Sequence, residues 1–246
     1  GNRWLQELTM AGNFIEVFLA REGHSNMVGM NYLEKIQLPH LPAIYGAMLA
    51  GVAVIIMGAG IPLAIPAVID ALAMHQPATY PIYVHKEGGG DTCMMTFDPA
   101  SFHEDGCPSP LQKPLFLPIV SSVTLATVLC RRIGDGIAGY VVEGPLAGGH
   151  NAPPRGARKL TEEGELIYGP RDAVDIAGLR DLGRPFWLAG SYGSPERLKE
   201  ALAQGAAGIQ VGTAFALCNE SEIVPEVRHA LIRKALAGKA RVFTDP

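Results

Sequence analysis

No pair of cysteines stands at CxxC spacing in this 246-residue chain. The four present, Cys93, Cys107, Cys130 and Cys218, do not combine with histidines at zinc-ligand distances. A disulfide framework and a zinc finger are therefore not expected, and reduced thiols in a cytoplasmic protein are. HExxH, GxSxG and the P-loop are all missing, so zinc-protease, serine-hydrolase and NTPase chemistry lose their usual signals. There is no basic cluster and the net charge is −4, which argues against nucleic acid as a partner. The opening Gly1-Asn2-Arg3-Trp4 is not a charged region followed by an apolar run, so no secretory leader is expected. Asn219-Glu220-Ser221 fits a glycosylation sequon, a triplet common by chance.

Charge is scarce in one place. Residues 36–69 carry none apart from a possible proton on His40. A run of about 20 apolar residues can span a bilayer. Here Pro39, Pro42, Gly46, Gly51, Gly58, Gly60, Pro62 and Pro66 interrupt it. Helix, turn, buried strand, turn, helix is the better reading, and no membrane partner is expected.

What remains is a globular composition, 48% apolar and 18% charged. Trp4, Leu8, Ala11, Ile15 and Phe18 or Leu19 recur at helical spacing. Strands are expected at 28–33, 52–57, 115–120, 139–142, 185–189 and 207–211. Helices are expected at 43–49, 66–74, 122–131, 172–182, from Ser194-Pro195-Glu196 onward, and at 223–237. Segments 80–84 and 93–97 flank a Gly-rich turn, so a hairpin insertion is expected at about 80–110. A Pro- and Gly-containing loop at about 151–171 is long enough to cover something. Strand–helix alternation of this kind predicts a parallel α/β sheet in a single domain over 1–246. It does not separate a closed barrel from an open sheet.

Four predicted strands end in small or polar residues: Met57-Gly58-Ala59-Gly60, Glu143-Gly144, Ala189-Gly190-Ser191-Tyr192-Gly193 and Gln210-Val211-Gly212-Thr213. Ligands of parallel α/β proteins sit at the carboxyl ends of strands, and glycine there lets them approach the backbone. Each turn alone could be only a tight turn. The last two each precede a helix, a place where barrels often hold a phosphate on backbone N–H groups. Gly134-Asp135-Gly136-Ile137-Ala138-Gly139 spells GxGxxG but precedes a strand, the wrong context for dinucleotide binding. Gly58-Ala59-Gly60 has Leu63 in the third glycine position and no acidic strand end about 20 residues on, so a Rossmann fold is the lesser alternative. His150 follows a strand end and two glycines. It could act as a general base or hydrogen-bond donor near neutral pH. A loop histidine bonded to solvent is the competing reading.

Val142-Glu143-Gly144-Pro145-Leu146-Ala147-Gly148-Gly149-His150 resembles the (Q/E)G-x-x-AGGH segment of the nitronate monooxygenases. Leu188-Ala189-Gly190-Ser191-Tyr192-Gly193 resembles their AAGGI turn, with Ser191 in place of its second glycine. Residues 205–215 are similar to their GAxGVQxGTxF strand, and Glu220-Ser221 to the ES that follows. Gly29-Met30-Asn31 resembles their GVN, and Gly58-Ala59-Gly60-Ile61-Pro62 their GAGxP. The resemblance implies a (β/α)8 barrel, of which this chain lacks the first two strands, holding one FMN without a covalent bond. It implies that Gly190, Ser191, Tyr192, Gly193, Gly212 and Thr213 hold the phosphate. Asn31, Gly58, Ser122, Glu143, Gly149 and Gln210 would serve the flavin, and His150 would be catalytic. The implied reaction is oxidation of alkyl nitronates with O2. Expected partners are a small-molecule substrate and O2, with a homodimer as the assembly considered. FMN- and NAD(P)H-dependent enoyl-acyl-carrier-protein reductases share the AGGH segment. Under that alternative an acyl carrier protein becomes a partner. A non-catalytic flavin-binding module would keep the glycine turns and leave His150 idle.

Overall fold

A computed structural model describes residues 2–84, 91–104, 106, 109–147 and 152–240. The chain divides into two compact units, Gly1–Pro118 with Leu129–Gly139, and Ile119–Val128 with Tyr140–Pro246.

In the first unit, helix α1 (Arg3–Ala20) is capped by the Asn2 side chain, which accepts from the Trp4 N–H. Helix α2 (His40–Leu49) is buried from His40 to Met48. A helix apolar all round belongs inside a core, which explains the uncharged stretch that raised the membrane question. Among the described residues no helix is long and apolar enough to cross a membrane. Strands β1 (Gly29–Leu33) and β2 (Val54–Gly58) pair in parallel, Gly29 facing Val54 and Leu33 facing Gly58. Helix α3 (Ile65–Ala73) follows with Pro66 in its first turn. Strands β3 (Ala78–Val84) and β4 (Asp91–Phe97) form an antiparallel hairpin. Tyr80 ties it down by donating from its hydroxyl to the buried Glu34 carboxylate at 2.9 Å. The return segment is tied to α2 through the Tyr45 hydroxyl, 2.7 Å from His75 Nδ1 and 2.6 Å from His103 Nε2.

Strand β5 (Leu115–Val120) begins in this unit, its Leu115–Pro118 pairing with Val54–Met57. Its last two residues belong to the second unit, where Ile119 and Val120 face Val141 and Val142 of strand β6 (Tyr140–Glu143). Parallel pairing continues from β6 to β7 (Phe186–Ala189) and from β7 to β8 (Gly208–Gln210). Tyr140, Val141, Val142, Phe186 and Leu188 are buried, as expected of strands covered on both faces. The helices between are α4 (Val123–Ile133), α5 (Ile176–Arg180), α6 (Pro195–Ala203), α7 (Thr213–Ala216) and α8 (Pro225–Leu236). Expected helix 172–182 shrinks to five residues. Asp172 is drawn into the preceding loop and Asp175 becomes the N-cap, accepting from the Gly178 N–H.

Packing in the first unit is tight where α2 crosses α1. A Cβ on Gly46 would overlap the main chain of Met10. Gly46→Ala is expected to force the helices apart and cost about 1–3 kcal/mol or more. Urea unfolding checks this, and an unchanged midpoint would show that the crossing is looser than described.

Candidate active site

Three strand ends in the second unit lie level. Glu143 faces Ala189 across the β6–β7 ladder, and Ala189 faces Gln210 across β7–β8. Residues in register on parallel strands point to the same side, and two strand spacings separate Glu143 from Gln210 by roughly 10 Å. All three line a cavity of about 760 Å³, together with the turns that follow them. That volume lies in the range of small-molecule and cofactor sites.

The turn after β7 is built from conformations most residues avoid. Gly190 has φ +93° and Ser191 φ +59°. Glycine adopts the left-handed region freely, whereas an L side chain there is strained. Gly190 also lacks room for a side chain, because a Cβ would come within 2.7 Å of the Ala147 nitrogen. Chain reversal so close to the strand end leaves main-chain donors without ladder partners. Among the described residues, the N–H groups of Ser191, Tyr192, Gly193, Gly212, Thr213 and Ala214 find no main-chain or side-chain acceptor. Helix α6 begins directly after, with the Ser194 hydroxyl accepting from the Arg197 N–H at 3.3 Å. The positive end of a nine-residue helix thus adds to a set of unpaired donors on residues that line the cavity.

The opposite polarity appears at Gln210. Its Oε1 is buried and accepts no hydrogen bond from any described group. A buried acceptor left in this state costs about 1–3 kcal/mol, which a bound N–H donor would recover. Glu143 is half-buried, and burial pushes its carboxyl above the usual glutamate range. The cavity therefore offers main-chain donors at one place, a lone acceptor at another, and a carboxyl that burial shifts upward.

A second cavity of about 20 Å³, room for about one water, lies on another side of Glu143. Its walls include Ser121, Arg155, Tyr168 and Asp172. The last three belong to the long loop at 152–172, which is folded and pinned. Main-chain N–H groups of Arg155 and Gly169 each donate to the Asp172 carboxylate at 2.6 Å. The Arg155 guanidinium donates to the Ser121 and Arg171 carbonyls at 2.6 Å. Sequence reasoning missed Arg155 and Asp172, which bond to main-chain groups 16 to 34 residues away, Asp172 also to the nearby Gly169 N–H.

Glu143, Gly190, Ser191, Tyr192, Gly193, Gln210, Gly212 and Thr213 are thus brought together. Ser122 does not line this cavity. Its hydroxyl caps α4 by accepting from the Leu125 N–H at 3.1 Å. Asn31 lies exposed in β1 and Gly58 buried at the end of β2, both in the first unit. Gly149 and His150 lie outside the described residues. Among the described residues no group of three or more His, Cys, Asp or Glu is placed to hold a metal ion.

Residues 112–242, more than half of the chain, match the family model described as nitronate monooxygenase. The chain belongs to the nitronate monooxygenase family. Both cavities fall within the matched stretch. The chain is also 35% identical over 118 residues to (3aS,4S,5R,7aS)-5-hydroxy-7a-methyl-1-oxo-octahydro-1H-indene-4-carboxyl-CoA dehydrogenase of Rhodococcus jostii (strain RHA1), an alignment covering 48% of this chain and 29% of that protein. Its fold is similar to two structures of FabK from Thermotoga maritima. The one of a point mutant has TM-score 0.54 and 17% identity, covering 92% of this chain and 63% of that one. The other has TM-score 0.53 and 19% identity, covering 92% and 60%. The chain therefore spans less than two thirds of the length of these relatives.

The strained turn gives two substitutions of opposite sign. Ser191→Gly relieves a left-handed side chain worth about 1–2 kcal/mol and returns roughly 0.5–1 as added freedom of the unfolded chain, for a small net gain. Gly190→Ala is expected to destabilise by about 1–2 kcal/mol through the same strain plus the Ala147 clash. Chemical denaturation of both variants checks the pair, and a loss of stability in Ser191→Gly would contradict the geometry.

Proposed function

We propose that this chain is an FMN-dependent oxidoreductase of the nitronate monooxygenase type, built on a (β/α)8 barrel and oxidising alkyl nitronates with O2. The observation that carries the reading is the cavity over β6, β7 and β8, with unpartnered donors at 191–193 and 212–214 and the unpartnered Gln210 acceptor. FMN has the matching polarity, an anionic phosphate at one end and an imide N–H on its ring. The N–H groups of Ser191, Tyr192, Gly193, Gly212 and Thr213 would hold the phosphate, assisted by the start of α6. Gln210 would accept from the ring N–H. Glu143, whose carboxyl is raised above its usual range by burial, would hydrogen-bond toward the ring edge.

When bound, FMN supplies the electron acceptor for an anionic nitronate, with oxygen completing the reaction. The chain's own groups bind, orient and exclude water. By the match to the AGGH segment, His150 would orient or deprotonate the substrate, and Gly149 is assigned to the cofactor by the same motif. Asn31, Gly58 and Ser122 are assigned to the cofactor by motif. The Ser122 hydroxyl hydrogen remains available to donate while its oxygen caps α4. A cytoplasmic location and a homodimer fit this reading.

A second reading is NAD(P)H-dependent reduction of enoyl thioesters, with acyl carrier protein as partner. The likeness to FabK over 92% of the chain supports it, as does the carboxyl-CoA compound in the name of the Rhodococcus relative.

Anaerobic stopped-flow absorbance of the FMN-loaded protein separates the two. Mixing with propionate 3-nitronate alone is expected to reduce the flavin, and His150→Ala to slow that reduction by about 10²–10⁴-fold. Reduction by NADPH or NADH alone, with no response to the nitronate, would transfer the assignment to enoyl reduction. An unaffected His150→Ala would favour a module in which that residue takes no part.

A further inference from the structure

We propose that Arg155 and Asp172 are positioning residues for Glu143, locking the 152–172 loop over it so that the carboxyl is confined between the large cavity and a space the size of one water. The inference rests on the reading above only for what fills the large cavity.

The lock has two parts. Asp172 is buried and accepts one main-chain N–H from each end of the loop, Arg155 and Gly169, both at 2.6 Å. A carboxylate accepting two amide hydrogens forms charge-assisted bonds, stronger than those between neutral groups. These bonds hold the Asp172 carboxyl below its usual range. Its contribution is present above the ordinary carboxyl range and is lost only as the pH falls through the depressed midpoint. Arg155 supplies the second part. Its guanidinium reaches back across the small cavity to the Ser121 carbonyl, just beyond β5, while holding the Arg171 carbonyl beside Asp172. The Tyr168 hydroxyl adds a bond to the Ala152 carbonyl at 3.1 Å. Between these anchors the loop folds on itself, with Leu160 bridging to Leu166.

Glu143 lines both cavities. Among the described residues, the titratable groups that line these cavities with it are Arg155, Tyr168 and Asp172 around the small one and Tyr192 around the large one. Burial is what raises its carboxyl, and Arg155, Tyr168 and Asp172 of the pinned loop line the small cavity with it. Release of the loop would admit bulk water and return Glu143 to ordinary behaviour without altering Glu143 itself. A free lid over the site would behave differently, because Glu143 would already be solvated whenever the lid stood open.

The test is a ¹³C-carboxyl NMR titration of Glu143 in the full chain without added flavin, its signal identified by loss in Glu143→Gln. The unaltered chain is expected to titrate above the usual glutamate range. Asp172→Ala should bring the midpoint down and speed exchange of the Gly169 amide roughly tenfold or more. Asp172→Asn, which keeps one acceptor, should fall between. Arg155→Met separates solvation from charge. Loss of a nearby cation would by itself raise the Glu143 midpoint, whereas release of the loop lowers it. A lowered midpoint in Arg155→Met supports the proposal. A raised or unchanged one, with loop exchange accelerated, overturns it, and this readout decides the matter even if Asp172→Ala fails to fold. Neither measurement involves flavin, so failure to bind FMN would remove the functional reading and leave this one standing.

Discussion

The site depends on one constraint, that β6, β7 and β8 end level with one another. Register sets Glu143 against Ala189 and Ala189 against Gln210. Beyond that line the chain must leave the sheet at once. At β7 it does so through two successive left-handed residues, Gly190 and Ser191. Main-chain donors that the ladder would otherwise have used are left facing a cavity. The same register that builds the core thus creates the unfilled hydrogen-bonding capacity above it.

Strain and unpaired polar groups collect at this end of the unit, while three of the helices around it are capped by side chains. Ser122, Asp175 and Ser194 each cap a helix with a side-chain oxygen. By contrast Ser191 holds a disfavoured φ and Gln210 Oε1 lacks a partner. Such features survive where the surroundings enforce them, and they are a recurrent mark of ligand sites. Membership of the nitronate monooxygenase family, reached through residues 112–242, points to the same part of the chain.

The parallel strands were legible because burial on both faces writes itself as continuous apolar runs, as at Leu115–Val120 and Phe186–Ala189. The glycine turns after β7 and β8 were legible as turns at strand ends, and at Gly190 the backbone is one few other residues tolerate. The positive φ of Ser191 was not, since serine carries no signal for that region. Helix α7, four residues long, is too short to show a period. The helix expected at 172–182 failed because Asp172 bonds to main-chain groups of the loop, one of them 17 residues away at Arg155. Side chains that serve distant backbone leave no local pattern. The motif carrying His150 was plain in the sequence, but that residue lies outside the described part of the structure.

The central claim is that the second unit's turns hold a phosphate and Gln210 meets the ring attached to it. Comparing FMN with riboflavin, which has the same ring and no phosphate, tests this directly by equilibrium titration followed through flavin fluorescence. FMN is expected to bind, and riboflavin to bind at least about a hundredfold more weakly, since several charge-assisted bonds at roughly 1.5–3 kcal/mol each depend on the phosphate. Equal affinity for the two, or no affinity for either, would contradict it.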